Sequence, residues 1–440
     1  MHSSPVPPIP EHELLVFLLQ VGVLLLTATF LGRLAARCKM PAVVGELLAG
    51  VILGPSLFGW TAPDASGWLF PRQAEQMHLL DGVGQLGVLL LVGLTGIGID
   101  LALIRRRSLT AVRVGVAGVI VPFLPGVALA YVLDRMLDVP GRTLVFALFL
   151  GVAMCVSAIP VIAKTLMDMD LIHRNVGQLT LAAGMIDDAF GWFMLSVVSA
   201  MAIGGAPAGQ AATALISLTL VVLAAIVFGR HVVRWVLRLC GDSAERTVAA
   251  CVVMILLAGA ATQALHLEAV FGAFICGILI GSSPGFQRPR VSALRTLVLT
   301  VLAPVFFATA GLRIDLRALG RPVVLLAAVL VLLTAIAGKF AGAYVGALLS
   351  RLNRWEALAL GAGMNARGVI QVIVAMVGLR LGVLDTGTYT IIVLVAVVTS
   401  LMAPPILRLA MRRVEYTAEE ELRLEDQRLT PAPEPGGSRT

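Results

Sequence analysis

Hydrophobic stretches of about twenty residues follow one another along almost the whole chain, and no other feature limits its fold so severely. Apolar runs separated by charged or Gly/Pro breaks cover 13–33, 41–59, 82–104, 110–133, 142–166, 176–203, 211–238, 246–264, 267–283, 291–312, 323–350, 355–380 and 386–410. Each is long enough to cross roughly 30 Å of hydrocarbon as a helix. A soluble fold is excluded by the surface it would need. Apolar residues make up 58% of the 440 positions and charged residues 13%, with a mean hydropathy of +0.95, too few charges to cover a water-facing exterior. The expectation is an all-α integral membrane protein of about 13 transmembrane helices.

The net charge of +7 does not indicate a nucleic-acid partner, because the basic residues sit in short loops where they set topology. If the spans alternate in direction, 24 lysines and arginines fall on the side of the C-terminus, and seven (Arg72, Arg135, Arg142, Arg313, Arg317, Arg321 and Arg380) fall on the other. The positive-inside bias then places the N-terminus outside and the C-terminus in the cytoplasm of a multi-pass cell-membrane protein. A miscounted span would have scrambled this alternation. MHSSPVPPIPEHE at the N-terminus lacks the basic region of a signal peptide, so the first span is expected to be retained. Residues 414–440 read as a flexible tail with no regulatory domain after it. Five cysteines lie in or beside apolar runs without paired spacing, as small hydrophobes rather than a disulfide or metal framework.

The sequence repeats itself. VVGELLAGVILGPS (43–56) aligns with VFGAFICGILIGSS (270–283), matching Gly45, Gly50 and Gly54 with Gly272, Gly277 and Gly281. TGIGID (95–100) aligns with AGLRID (310–315), matching Asp100 with Asp315. Both matches are seven spans apart, and an odd offset means that the second copy enters from the opposite face. That is two inverted six-helix repeats joined by a linker helix at 211–238. Such repeats commonly build an ion site from two broken helices crossing near the midplane. The corresponding fifth and twelfth spans are both irregular. GVAMCVSAIPVIAK (151–164) carries Pro160, which removes a backbone hydrogen bond, and Ser157, whose hydroxyl can serve the opened backbone. GAGMNARGVIQVIVA (361–375) surrounds Asn365 and Arg367 with glycines. The alternative reading is a proline kink and glycines that allow close packing; irregularity at corresponding positions of both copies favours function.

Asp187 and Asp188 stand about eleven residues into the 176–203 span, ~16 Å deep at 1.5 Å per residue. Buried carboxylates at that depth are costly and are functional candidates by default. Successive helix positions diverge by about 100°, so one of the pair can line a water-filled cavity while the other meets a cation. Lys339, near the middle of the 323–350 span, is the natural cation. A capping role or an inert ion pair is the alternative, and unbroken apolar sequence on both sides argues against a loop. Arg367 fits a structural role equally well, balancing helix dipoles or freed carbonyls. Glu46 reads as structural or as a funnel residue. The six histidines (2, 12, 78, 173, 231, 266) read as solvated loop or helix-end positions.

Through PAVVGELLAGVILGPS, CVSAIPVIAKTLMDMDLIHRNVGQLTLAAGMIDDAFGW, FGAFICGILIG, VLAPVFFATAGLRID and GKFAGAYVG followed by LALGAGMNARGVIQVIV, the chain resembles the monovalent cation/proton antiporter family 2 over roughly 13–410. The resemblance implies a homodimer in membrane lipid. Residues 13–104 and 246–312 would form the dimer scaffold, and 110–203 with 323–410 an ion-transporting core moving like an elevator. It implies Asp188 as the carboxylate binding the proton and the transported monovalent cation, Asp187 as partner of Lys339, and Ser157 as a polar group at the helix crossing; Pro160, Asn365 and Arg367 are, on the reading of the breaks themselves, the residues expected to support them. The Asp-Asp pair resembles the electrogenic branch. The expected activity is exchange of Na⁺ or K⁺ for protons, with no cofactor and no enzymatic chemistry. A sodium-coupled symporter of an organic solute would show more polar cavity residues and need no Asp/Lys pair, and a cation channel would need a continuous polar stripe.

Overall fold

A computed structural model describes residues 9–38, 40–71, 74–98, 108–139, 143–157, 159–171, 173–203, 223–265, 267–418 and 420–421. Asp100, the first part of the 211–238 span, and the tail beyond residue 421 lie outside the described residues, as do His2 and His266. The described residues are helical, without strands. Nine of their helices are long and apolar enough to cross a membrane, and three shorter apolar helices accompany them.

The helices are α1 (Glu11–Arg37), α2 (Ala42–Leu53), α3 (Ala74–Gly98), α4 (Ser108–Leu137), α5 (Thr143–Cys155), α6 (Ile159–Asp168), α7 (Asn175–Ile203), α8 (Arg230–Cys240), α9 (Ala244–Ala264), α10 (Ala269–Gly281), α11 (Ala303–Gly311), α12 (Pro322–Leu349), α13 (Arg354–Met364), α14 (Val369–Arg380) and α15 (Thr386–Met411). Packing sorts most of them into two groups. One group joins α1, α2, α3, α9, α10 and α11; the other joins α4, α5, α7, α12, α13, α14 and α15. Few contacts run between them.

Hydrocarbon offers no solvent-driven force between helices, so close packing by small residues decides which ones meet. The glycines matched in the sequence make matched contacts. A Cβ at Gly45 would stand 2.2 Å from the Leu31 carbonyl oxygen on α1, and one at Gly272 2.2 Å from that of Ala258 on α9. Gly50 brings α2 against α11, where a Cβ would meet the Ala308 oxygen at 1.9 Å. Gly277 brings α10 against α3, where it would meet the Gly93 oxygen at 2.1 Å. Thus α2 packs on α1 and α11 just as α10 packs on α9 and α3.

The beginning of the tail departs from the free segment expected of it. Its polar groups find partners at the start of α7. The Arg174 guanidinium donates to the carbonyls of Val414 and Glu415 at 3.2 and 3.0 Å, lies 4.4 Å over the Tyr416 ring and pairs with Glu420 at 3.1 Å. The amides of Asn175 and Thr417 donate to Glu420 at 2.6 and 2.9 Å. Burial acts to raise the Glu420 carboxyl, but these amides and the guanidinium outweigh it and hold it below the ordinary glutamate range. A depressed carboxylate stabilises above its unfolded value and loses that contribution only as pH falls through the lower folded one, so this clasp holds throughout the neutral range. His173 is also corrected: it is buried, with its Nε2 on the Tyr416 hydroxyl and its Nδ1 3.8 Å from Asp170.

The glycine contacts give a direct test in thermal unfolding of the detergent-solubilised protein. Gly277→Ala must push α10 off α3 and is expected to cost about 1–3 kcal/mol or more. Gly82→Ala on α3, where a Cβ meets nothing within 4 Å, should stay within about 0.5 kcal/mol of the parent. Equal midpoints for the two variants would contradict the close-packing argument.

Candidate functional site

The chain leaves helix twice inside the α4–α15 group, between Cys155 and Ile159 and between Met364 and Val369. Helix ends leave carbonyls without intrahelical partners, and in hydrocarbon no water can satisfy them. At the end of α5 the Val152 carbonyl accepts the Val156 amide at 3.2 Å. Those of Ala153 and Met154 accept the Arg367 guanidinium, the first at 2.7 Å, and that of Cys155 accepts the Lys339 ammonium. Two cations thus stand where the negative end of the α5 dipole needs them. Arg367 also reaches the Ala335 carbonyl on α12 at 3.0 Å, and its own carbonyl accepts the Ser400 hydroxyl.

The service is reciprocal. Arg367, on the second interruption, caps the helix that ends at the first. Ser157, on the first, stands 2.8 Å from the Met364 carbonyl at the end of α13. Its Oγ is also 2.7 Å from Asp187 Oδ2, and one hydroxyl proton serves only one acceptor at a time. Ser157 is therefore a fork between a helix end and a carboxylate.

Lys339 is buried and uses all three ammonium protons: Gly118 O at 3.0 Å, Cys155 O and Asp187 Oδ2. Glycines prepare this geometry. Gly338, Gly342 and Gly346 lie on one face of α12, where Cβ atoms would stand 2.6–2.8 Å from atoms of α4, so α4 comes close enough to present the Gly118 carbonyl. Asp187 and Asp188 are both fully buried on α7, yet their surroundings differ. Asp187 Oδ2 is held by Lys339 and Ser157. Neither oxygen of Asp188 has a hydrogen-bond partner among the described residues, although the carboxylate faces the Ile159 amide at the start of α6, where the helix dipole is positive.

Asn365 is equally buried, and neither end of its amide is hydrogen-bonded among the described residues. Pro160 falls in the first turn of α6, where a missing amide costs nothing; it starts a helix rather than kinking one, and its ring lies outside the described side chains. Glu46 packs against Gly32 of α1, apart from these residues. No group of three or more His, Cys, Asp or Glu suited to a metal occurs among the described residues. Sequence reasoning missed Gly118, Cys155 and Ser400. Two act through backbone carbonyls, which have no sequence signature, though the Gly-x-x-x-Gly spacing beside Lys339 marks the approach of α4.

A family model described as "Sodium/hydrogen exchanger, transmembrane" matches residues 23–413. A Na(+)/H(+) antiporter of Synechocystis sp. is 30% identical over 401 residues, covering 90% of this chain and 97% of that protein. Cation/H(+) antiporter 20 of Arabidopsis thaliana is 31% identical over 89% of this chain, which spans 48% of that longer protein. A solved structure of a sodium proton antiporter from Methanocaldococcus jannaschii matches with a TM-score of 0.66, covering 91% of this chain and 99% of that one. At 16% identity this last likeness is one of fold.

Removing one member of the Lys339–Asp187 pair strands the other in the interior. Lys339→Ala is expected to cost about 3–5 kcal/mol in unfolding free energy, and adding Asp187→Asn should recover part of that loss. If the double variant is as unstable as the sum of the two single variants, the coupling argued from the geometry is wrong.

Proposed function

Because the chain belongs to the sodium/hydrogen exchanger family of transmembrane proteins, we propose that it exchanges a monovalent cation, Na⁺ or K⁺, for protons, with Asp188 carrying each in turn. One observation carries this reading: two adjacent buried carboxylates have opposite surroundings. Asp187 is compensated by Lys339 and Ser157, whereas Asp188 has no side-chain hydrogen-bond partner among the described residues. A fully buried carboxylate without a side-chain partner is expensive, and either a proton or a small cation removes the penalty. Competition of the two for one carboxylate is what exchange requires. Electrogenic exchange needs a further proton in the cycle, and Asp187, which shares Lys339 and Ser157, is the adjacent group able to take part.

The architecture proposed with this chemistry has thirteen membrane-crossing segments in two inverted repeats, with α5–α6 and α13–α14 as the broken helices. The matched contacts of Gly45 with Gly272 and of Gly50 with Gly277 support the repeat. The scaffold is the α1–α3 and α9–α11 group, proposed as the seat of a homodimer, and the other group is the moving core. With the arginine-rich face in the cytoplasm, the contacts between groups differ at their two ends. On the outer side the Tyr389 hydroxyl donates to Ala310 O at 2.7 Å, the Asp315 amide to Thr390 Oγ1 at 3.1 Å, and Arg380 pairs with Glu268 at 2.7 Å. On the inner side a cavity of about 360 Å³ is lined by Cys38, Met40 and Pro41 and by Leu401, Pro404, Pro405 and Arg408 of α15. Among the described residues, this difference between the two ends suits an inward-facing state. An elevator stroke would break the outer bonds and close the inner cleft. The symporter alternative is set aside, since the relatives are cation/proton antiporters.

The test is a flux measurement in proteoliposomes carrying a preset pH gradient. Addition of Na⁺ or K⁺ should dissipate the gradient, and Asp188→Asn should reduce dissipation to the level of protein-free vesicles. If no monovalent cation acts, or if Asp188→Asn exchanges like the parent, the reading fails.

A further inference from the structure

The helix α8 carries RHVVRWVLRLC, and at 100° per residue its side chains divide into three sectors. Val233 and Cys240 are buried against the protein. Val232, Trp235 and Leu239 are exposed by 54, 63 and 62%, which for a membrane helix is the face turned to lipid. Arg230, Arg234 and Arg238 fall on successive turns between these two sectors. Such an arrangement suits a helix at the membrane interface, with an apolar stripe in the acyl region and cations at headgroup level.

Beside the arginine stripe lies a cavity of about 260 Å³, whose lining includes Arg234, Arg238, Arg290, Asp242, Thr247 and Ser283. Three cations therefore face one carboxylate. Arg290 is fixed by donating to Gly241 O at 2.9 Å and to Asp242 at 2.6 Å, and Arg234 Nε donates to Arg230 O at 3.0 Å. Each guanidinium has five N–H groups, so donors remain to aim at a ligand. The hydroxyls of Thr247 and Ser283 already donate to the carbonyls of Ser243 and Leu279 at 2.8 Å each, which leaves the guanidiniums as the recognition elements. Forked guanidiniums in surplus over carboxylates recognise the oxygens of a phosphate group.

We propose that this cavity binds the phosphate of an anionic phospholipid headgroup, with the acyl chains lying along Val232, Trp235 and Leu239. Free phosphate shares the headgroup chemistry, but only a lipid also uses the apolar stripe next to the cations. The site lies on the arginine-rich face, where an inner leaflet supplies anionic lipid. Bound there, one headgroup would tie α8 to the start of α9 and to the segment after α10 that carries Arg290. The proposal is independent of the exchange reaction.

The experiment uses the whole purified protein in detergent, following its thermal midpoint and its retained lipid by native mass spectrometry. Phosphatidylglycerol or cardiolipin should raise the midpoint and stay bound, while phosphatidylcholine should do neither. The variant Arg234→Gln/Arg238→Gln should need about tenfold or more lipid for half-saturation, Arg234→Lys/Arg238→Lys should retain part of the effect, and Arg33→Gln, on α1, should behave as the parent. If the double glutamine variant does not fold, Arg238→Gln alone, an exposed position, carries the same comparison. Equal responses to phosphatidylcholine and phosphatidylglycerol, or undiminished anionic-lipid binding by the glutamine variants, would overturn the proposal. So would inorganic phosphate that reproduces the stabilisation and displaces the lipid, since the ligand would then be the free anion.

Discussion

A helix that stops inside hydrocarbon must have its open carbonyls satisfied by the protein itself, and the rest of this structure follows from how α5 meets that demand. Its last carbonyls are held by Val156, Arg367 and Lys339. Neither cation comes from α5 or its continuation. Arg367 belongs to the other interruption and Lys339 to α12, so the two breaks and the long helix beside them form one unit. Ser157 closes the loop by serving the end of α13. The cost of interrupting two helices is thereby shared across elements far apart in sequence, which explains why a packed group of seven helices surrounds so small a polar centre.

The same bonds make the aspartate pair unequal. Lys339 has three protons and three acceptors, two of them carbonyls fixed by the fold. Its one remaining bond goes to Asp187, and nothing is left for Asp188. The exchange chemistry proposed for Asp188 is thus a consequence of capping: the cation that would have neutralised it is committed to a helix end and to its neighbour. The fork at Ser157 links the two, because its proton serves either the α13 carbonyl or Asp187.

Much of this was legible before any coordinates. Apolar runs located the nine spanning helices found among the described residues, and the depth of Asp187, Asp188 and Lys339 singles them out because charge in hydrocarbon is rare for a physical reason. Glycine matches such as Gly50 with Gly277 pointed to helix contacts that the structure contains. What escaped was whatever depends on backbone atoms or on a fold-back. The carbonyls of Gly118 and Cys155 carry no side-chain signal. Ser400 is one hydroxyl among many in an apolar helix. His173 reads as solvated because it falls in a loop or near a helix end, yet the segment after α15 returns to cover it. Charged tail sequence gives no warning of docking when its partners lie about 240 positions away. Pro160 was read as a breaker, and its place in the first turn of α6 shows the same stereochemistry used to begin a helix.

The central claim is that proton and cation compete for Asp188. Proton release on cation binding tests it most directly, measured with a pH indicator in weakly buffered, detergent-solubilised protein. The parent should release protons in proportion to the Na⁺ or K⁺ bound, and Asp188→Asn should neither bind the cation nor release protons. Undiminished release by Asp188→Asn, or cation binding by the parent without release, would contradict the account.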